Sequence, residues 1–167
     1  MTINRALREL TNEGYLERTS GVGTFIAERK PHSNLLQIAN IADEIISRGH
    51  RYHCEVLELG RVAAPFTIAS ALELTTGSSV YHLRCVHYEE DLAVQLEDRY
   101  VSPAMAPDFI LQQFDDTLQP SRYLLNTIPV DEIEHIVDAL LPSDEDAKAL
   151  EIDPDEPCLA LMRFLFF

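Results

Sequence analysis

Residues 80–101, VYHLRCVHYEEDLAVQLEDRYV, contain two runs rich in β-branched, aromatic and other apolar residues on either side of Glu90-Asp91. Such runs predict strands, and a two-residue polar break between them predicts an antiparallel hairpin. Strand-like and helix-like segments interleave around this hairpin. Because the central strands are joined by a tight turn rather than by a helical crossover, the sequence predicts an α+β fold with an antiparallel sheet.

The flanking segments supply the other elements of this fold. Apolar residues at helical spacing predict helices over 36–47, 67–74 and 143–150, with shorter ones near 104–113 and 121–126. Ser143 and Asp146 form a capping box at the start of the 143–150 helix. Further strands are predicted over 54–62, 133–141 and 158–167.

The first 28 residues have a different organisation. Residues 1–14 predict a helix that ends at a glycine, and two short strand-like runs follow around the turn Ser20-Gly21-Val22-Gly23. A helix followed directly by a small hairpin is the last half of a winged helix-turn-helix. We therefore assign residues 1–28 to the C-terminal part of such a DNA-binding domain, residues 29–33 to a linker, and residues 34–167 to a second domain.

The net charge also differs between the N-terminal segment and the rest of the chain. Residues 1–30 sum to a net charge of +1 and residues 31–167 to −16. A polyanion such as DNA would be repelled by the second part and tolerated only by the first. No segment resembles a signal peptide or a membrane span, so we expect a cytoplasmic protein. The three cysteines are widely spaced, which favours reduced, buried thiols.

Two stretches carry a resemblance to a known family. Residues 2–10, 13–18 and 21–26 resemble the end of the GntR-family DNA-binding domain, with the pattern T-x-x-x-A-L-x-x-L followed by G-x-L-x-R and G-x-G-T-F. The remainder resembles the UTRA effector-binding domain of the HutC subfamily, whose fold is similar to chorismate lyase. The matching segments are Ile45…Arg48-Gly49, Ala69…Gly77, Leu83-Arg84, Glu97…Tyr100, Ser121-Arg122-Tyr123 and Leu150…Pro157. By this resemblance, the start of the DNA-binding domain and the last strands of the effector domain lie outside the chain.

The resemblance implies a ligand-responsive transcriptional repressor without a cofactor. The HutC subfamily implies control of histidine-utilisation genes, with a small carboxylate such as urocanate as the inducer. It also implies operator DNA as a partner of the full-length protein, a homodimer formed through the effector domain, and no membrane partner. The residues expected to contact DNA are Thr2, Asn4, Arg5, Ser20 and Gly21.

The hairpin supplies the first pair of effector-binding candidates. If Glu90-Asp91 is a two-residue turn and pairing is regular, Arg84 lies opposite Glu97 on a polar face of the sheet. By residue pattern alone this pair is an exposed ion pair or a ligand site. The resemblance implies the latter, because both residues match positions where the family holds its ligand. Sugar-phosphate-responsive relatives have a second arginine two residues after the first, and here that position is Val86. A single arginine suits a ligand with a single carboxylate.

Three further residues are candidates for the effector site. Ser121 and Tyr123 match the family's S-x-Y motif at a helix start, where a hydroxyl and backbone N–H groups favour an anion. The alternative is a plain N-cap and a core tyrosine. Asn40 would cap another helix near the site, or serve only as a cap.

No metal or catalytic site is predicted. His50 and His53 follow a helix stop, and His82 and His87 point to opposite faces of one strand, so neither pair has the geometry of metal ligands. We find no nucleophile–base pair for a chorismate-lyase type of enzyme. That enzyme and a ligand-free dimerisation module remain the two alternatives to a repressor.

Overall fold

The computed structural model of the chain describes Arg5 and residues 16–19, 23–26 and 40–166. The chain divides into two compact units, Met1–Asn34 and Leu35–Phe167. In the first, β1 (Leu16–Thr19) pairs antiparallel with β2 (Gly23–Ile26), as the sequence predicts. Arg5 is helical and exposed. Thr2, Asn4, Ser20, Gly21 and the predicted linker 29–33 lie outside the described residues.

The second unit contains a three-stranded antiparallel sheet in the order β3-β4-β5. Its strands are β3 (Tyr52–Ala63), β4 (Ser79–Glu89) and β5 (Leu92–Val101), and α2 (Phe66–Ala71) connects the first two. Strand β4 is buried along most of its length because it is central and covered on both faces. The α+β architecture predicted from the 80–101 hairpin is confirmed.

The main core lies between one face of this sheet and three helical segments. These are α1 (Ile41–Ser47), a 3₁₀ helix (Phe109–Leu111) and α3 (Pro120–Thr127). Their buried side chains meet those of Leu83 and Cys85, which alternate on β4 as period two requires. Helix α1 is capped by Asn40 and followed by Gly49, whose φ of 79° suits a glycine.

A second antiparallel pair completes the unit. Strand β6 (Glu132–Leu140) pairs with β7 (Cys158–Phe166), and α4 (Asp144–Leu150) lies between them in sequence. Ser143 caps α4 by accepting a hydrogen bond from the Asp146 amide at 3.1 Å, which confirms the predicted cap, and the Ser143 hydroxyl donates to Asp146 Oδ2 at 2.7 Å. In the part of the chain that the structure describes, no helix is long and apolar enough to cross a bilayer.

One irregularity in the hairpin changes which residues share a face. The turn forms as predicted, with Glu89 opposite Leu92, but β5 then contains a β-bulge. Tyr88 pairs with Ala93 and His87 with Gln95, so Val94 is an extra residue without a partner in the ladder. Because side chains alternate, this one-residue shift moves every later residue of β5 to the opposite face.

The predicted pairing of Arg84 with Glu97 is therefore wrong. Arg84 lies opposite Asp98, and Glu97 lies opposite Cys85 on the other face of the sheet. The sequence-based register assumed regular pairing from the turn onward, and Val94 breaks that regularity. Any site built from this hairpin uses the face that carries Glu97 or the face that carries Arg84, but not both.

Glu89 joins the end of β4 to the end of α1. Its carboxylate accepts two hydrogen bonds from Arg48, at 3.0 Å from Nε and 2.9 Å from Nη2, and also contacts His50. Burial by itself would raise the pKa of Glu89, but the hydrogen bonds from Arg48 and His50 outweigh it and lower the pKa below the ordinary 4.5. This bidentate ion pair stabilises the folded state as long as the carboxylate is ionised.

We expect Glu89→Gln to lower the free energy of unfolding at neutral pH by about 1.5–3 kcal/mol, the usual range for hydrogen bonds to a charged group. Because the folded pKa is depressed, this contribution is present above about pH 4.5 and is lost as the pH falls through the folded pKa. Urea unfolding at several pH values measures it. Glu132→Gln, at an exposed position of β6, is the control. If the difference in the free energy of unfolding between Glu89→Gln and Glu132→Gln persists at acidic pH, the role given to the ionised Glu89 carboxylate is contradicted.

Candidate functional site

Arg84 is neutralised by acidic neighbours on the sheet face that α4 covers. Its guanidinium forms ion pairs with Glu145 and Asp146, and its Nε lies 3.8 Å from Asp98. Its side chain is 13% exposed. An arginine that already faces three carboxylates has little attraction for an anionic ligand, so this arrangement is a structural ion-pair network.

Glu97 lies on the opposite face, in a buried polar network. One oxygen, Oε1, accepts a hydrogen bond from Arg99 Nε, and Oε2 lies 3.1 Å from His87 Nε2. The other ring nitrogen of His87 lies 2.8 Å from the Tyr52 hydroxyl. Burial alone would raise the pKa of Glu97, but the charge of Arg99 and the hydrogen bond with His87 outweigh it and hold the pKa at about 2. Glu97 is thus an ionised carboxylate that orients Arg99.

Arg99 leads from this network to a small cavity. Its Nη2 donates a hydrogen bond to Ser121 Oγ at 3.0 Å, and Ser121 lies in the first turn of α3, directly after Pro120. The cavity has a volume of about 220 Å³ and is lined by Arg99, Ser121, Leu125, Arg163 and Leu165. This volume includes space open to solvent, so the cavity is smaller than the sites of about 300–1,000 Å³ that hold drug-sized ligands.

Arg163 gives the cavity its electrostatic character. This residue lies on β7, and its Nε donates a hydrogen bond to His135 Nε2 at 3.0 Å. Among the described residues, no carboxylate lies within ion-pair distance of its guanidinium. Burial, and next the charge of Arg99, lower the pKa of Arg163 below its ordinary value. Two guanidinium groups thus line one cavity, and Glu97 forms an ion pair with Arg99 alone of these two.

The other predicted effector residues have different positions. Ser121 lines the cavity, as expected of a binding residue. Tyr123 packs into the core instead, with its ring 5.8 Å from Phe109 and 6.0 Å from Phe114. Asn40 caps α1 through Oδ1 and donates from Nδ2 to Gln119 Oε1 at 3.0 Å, so it connects α1 to the residue before α3.

Comparisons with known proteins identify the domain. A family model described as the UTRA domain matches residues 47–166. The chain belongs to the UTRA domain family. The predicted UTRA resemblance is confirmed, and the cavity described above lies within the matched range.

Relatives of this UTRA domain include histidine utilization repressors. The one from Pseudomonas aeruginosa is 50% identical over 163 residues, which cover 98% of this chain and 65% of that protein. The solved C-terminal domain of the histidine utilization repressor from Pseudomonas syringae pv. tomato is 40% identical, with a TM-score of 0.67 over 70% of this chain and 82% of that one. The HutC resemblance is thereby confirmed. The chain spans about two thirds of the length of these curated relatives.

A more distant structure supports the fold alone. PhnF from Mycobacterium smegmatis is 21% identical, with a TM-score of 0.83 over 98% of this chain and 72% of that one. The backbone arrangement of this UTRA domain is thus shared at low sequence identity. Such a likeness carries no information on the ligand.

Sequence reasoning missed two features of this UTRA domain. The first is the pair Arg99 and Arg163, which lie far apart in sequence on β5 and β7. The second is a buried group formed by Cys54, Cys85 and His87, whose potential metal-ligating atoms all lie within 4.8 Å of one another. The signal for this group was the period-two spacing of Cys85 and His87 on β4. Cys54 joins them only through the pairing of β3 with β4.

Proposed function

We propose that this chain belongs to a ligand-responsive transcriptional repressor of histidine-utilisation genes, released from operator DNA by a small carboxylate inducer such as urocanate. The single observation that carries the ligand-binding part is Arg163, a half-buried cation at a cavity, beside Arg99 and without a carboxylate partner among the described residues. The names of the relatives support the class of genes.

The inducer carboxylate would bind between the two guanidinium groups. Arg99 is held in place by Glu97 and Ser121, so it is already oriented when the ligand arrives. Arg163 supplies the second charge, and Ser121 offers its hydroxyl proton. The side chains of Leu125 and Leu165 would pack against the flat ring of urocanate. This assignment replaces Arg84 with Arg99 and keeps Ser121, while Glu97 acts by positioning Arg99.

Operator binding is assigned to the N-terminal unit. Thr2, Asn4, Arg5, Ser20 and Gly21 are the proposed contacts, because the net charge of −16 over residues 31–167 would repel DNA. We also propose that the effector domain forms a homodimer, since operators read by helix-turn-helix heads are usually two-fold symmetric. The inducer would act by binding more tightly to one arrangement of the two DNA-binding domains of the dimer than to the other arrangement.

The two alternatives have less support. An enzyme similar to chorismate lyase is disfavoured because the matching relatives are named repressors. A ligand-free dimerisation module would leave the half-buried charge of Arg163 without an ion-pair partner among the described residues, which costs free energy without a function.

Isothermal titration calorimetry of the full chain tests the proposal. We expect urocanate to bind with one site per chain, and its neutral amide to bind at least tenfold more weakly because the amide lacks the charge that Arg99 and Arg163 recognise. The other compounds to be titrated are histidine, a sugar phosphate and chorismate. For chorismate, the formation of a product is also measured. Equal affinity for urocanate and its amide, or turnover of chorismate, would overturn the proposal.

A further inference from the structure

We propose that Cys54, Cys85, His87 and Glu97 form a binding site for a zinc ion inside the three-stranded sheet. The first three are buried, on the face of the sheet that packs into the main core, and their potential ligand atoms lie within 4.8 Å of one another. They come together because Cys54 pairs with His87 across β3 and β4, and Cys85 precedes His87 by two residues on the same face.

The distances fit a single tetrahedral ion. Cys85 Sγ lies 3.6 Å from His87 Nε2. A zinc ion bound at about 2.3 Å from sulfur and about 2.0–2.1 Å from nitrogen holds those two atoms about 3.5 Å apart in tetrahedral geometry. Glu97 Oε2, at 3.1 Å from the same nitrogen, is close to the separation expected for a fourth ligand. Glu97 is not among the three residues whose ligand atoms all lie within 4.8 Å of one another, so its carboxylate would have to move toward the sulfurs to complete the tetrahedron.

The surrounding hydrogen bonds are those that a metal-bound histidine requires. His87 Nδ1 is engaged by the Tyr52 hydroxyl at 2.8 Å, which fixes the ring and directs Nε2 toward the sulfurs. The Oε1 atom of Glu97 is held by Arg99, so Oε2 is the oxygen available to the ion. Both partners orient ligands without occupying the ion's coordination positions.

The charges of the filled site balance. Two thiolates and the Glu97 carboxylate would surround a divalent ion, and Arg99 supplies one further positive charge, so the buried group as a whole is neutral. Thiolate and imidazole ligands select zinc over magnesium and calcium, which prefer oxygen. Glu97 and Arg99 take part in both proposals, but Cys54, Cys85 and His87 do not line the cavity, so metal binding can be tested without urocanate.

A cobalt and zinc titration of the full chain, purified with reductant and stripped with chelator, tests the proposal. We expect one equivalent of Co²⁺ to give the near-ultraviolet thiolate-to-cobalt absorption, and Zn²⁺ to displace it. Cys54→Ser and Cys85→Ser should weaken binding at least about 100-fold. Cys158→Ser, which alters the third cysteine on β7, should bind as wild type does.

Tyr52→Phe keeps the experiment decisive if the cysteine variants do not fold. It retains every ligand and removes only the hydrogen bond to His87, so we expect zinc affinity to fall about 10- to 100-fold. Zinc should raise the melting temperature of the wild type more than that of Tyr52→Phe at equal concentration. Absence of the cobalt absorption from wild-type protein with three titratable thiols would overturn the proposal, as would its persistence in Cys54→Ser.

Discussion

Replacing Arg99 with glutamine is expected to weaken urocanate binding by about 100-fold or more. Arg99 is the cation that Glu97 and Ser121 hold against the cavity, and truncating one partner of a buried charged contact costs about 2–5 kcal/mol. A loss of about 2.7 kcal/mol corresponds to that factor. Titration calorimetry of the variant beside the wild-type chain measures it.

Two companion variants separate recognition from folding. Arg163→Gln removes the second cation without breaking an ion pair among the described residues, so it should weaken binding about tenfold or more while leaving the fold intact. Arg122→Gln, on α3 beside Ser121, removes an exposed arginine that pairs with Asp43 and does not line the cavity. If Arg122→Gln weakens binding as much as Arg163→Gln, a general electrostatic effect replaces the cavity as the explanation.

Glu97→Gln is expected to cause the largest loss of stability in the sheet, about 3–5 kcal/mol. Removing one partner of a buried ion pair leaves the charge of the other partner buried and uncompensated. The carboxylate is 9% exposed and engages both Arg99 and His87. Its folded pKa of about 2 lies below the ordinary 4.5, so its contribution is present above about pH 4.5 and declines as the pH falls toward 2. Urea unfolding of chelator-treated protein measures the difference.

Glu58→Gln is the matched control for this measurement. Glu58 lies on β3 of the same sheet, is 55% exposed, and approaches His82 only at 3.8 Å. An exposed pair of this kind contributes about 0–1 kcal/mol. Similar losses for Glu58→Gln and Glu97→Gln would mean that the buried network around Glu97 adds nothing beyond a surface contact.

The local elements of this fold were predictable because each has a local cause. Alternation and the Glu90-Asp91 turn predicted the central hairpin, and Ser143 marked the start of α4. The bulge was not predictable, because Val94 is an ordinary strand residue with neither a glycine nor a proline beside it. That single position reversed the face assigned to Glu97, whereas the choice of Arg84 came from the family resemblance.

The two sites were only partly predictable for a related reason. Ser121 was found because its motif is contiguous in sequence. Arg163 was not, since a predicted strand over 158–167 does not say which of its side chains meets α3. Cys54 and His87 likewise meet through strand pairing, and their separation in sequence resembles no metal-binding spacing. Long-range geometry therefore decides both sites, while sequence patterns decide only the elements that carry them.

The bulge also gives the hairpin one point at which its length can change harmlessly. If Val94 were deleted, Ala93 and Gln95 would keep their present neighbours, and Glu97 would still project beside Cys85. Deleting Leu96 instead would rotate Glu97 and Arg99 to the far side of the sheet and leave Arg163 as the only one of the two arginines at the cavity. Insertions and deletions among homologues should therefore gather at position 94 and avoid 95–99. A deletion two residues farther along would instead bring Asp98 and Tyr100 to the positions that Glu97 and Arg99 now occupy.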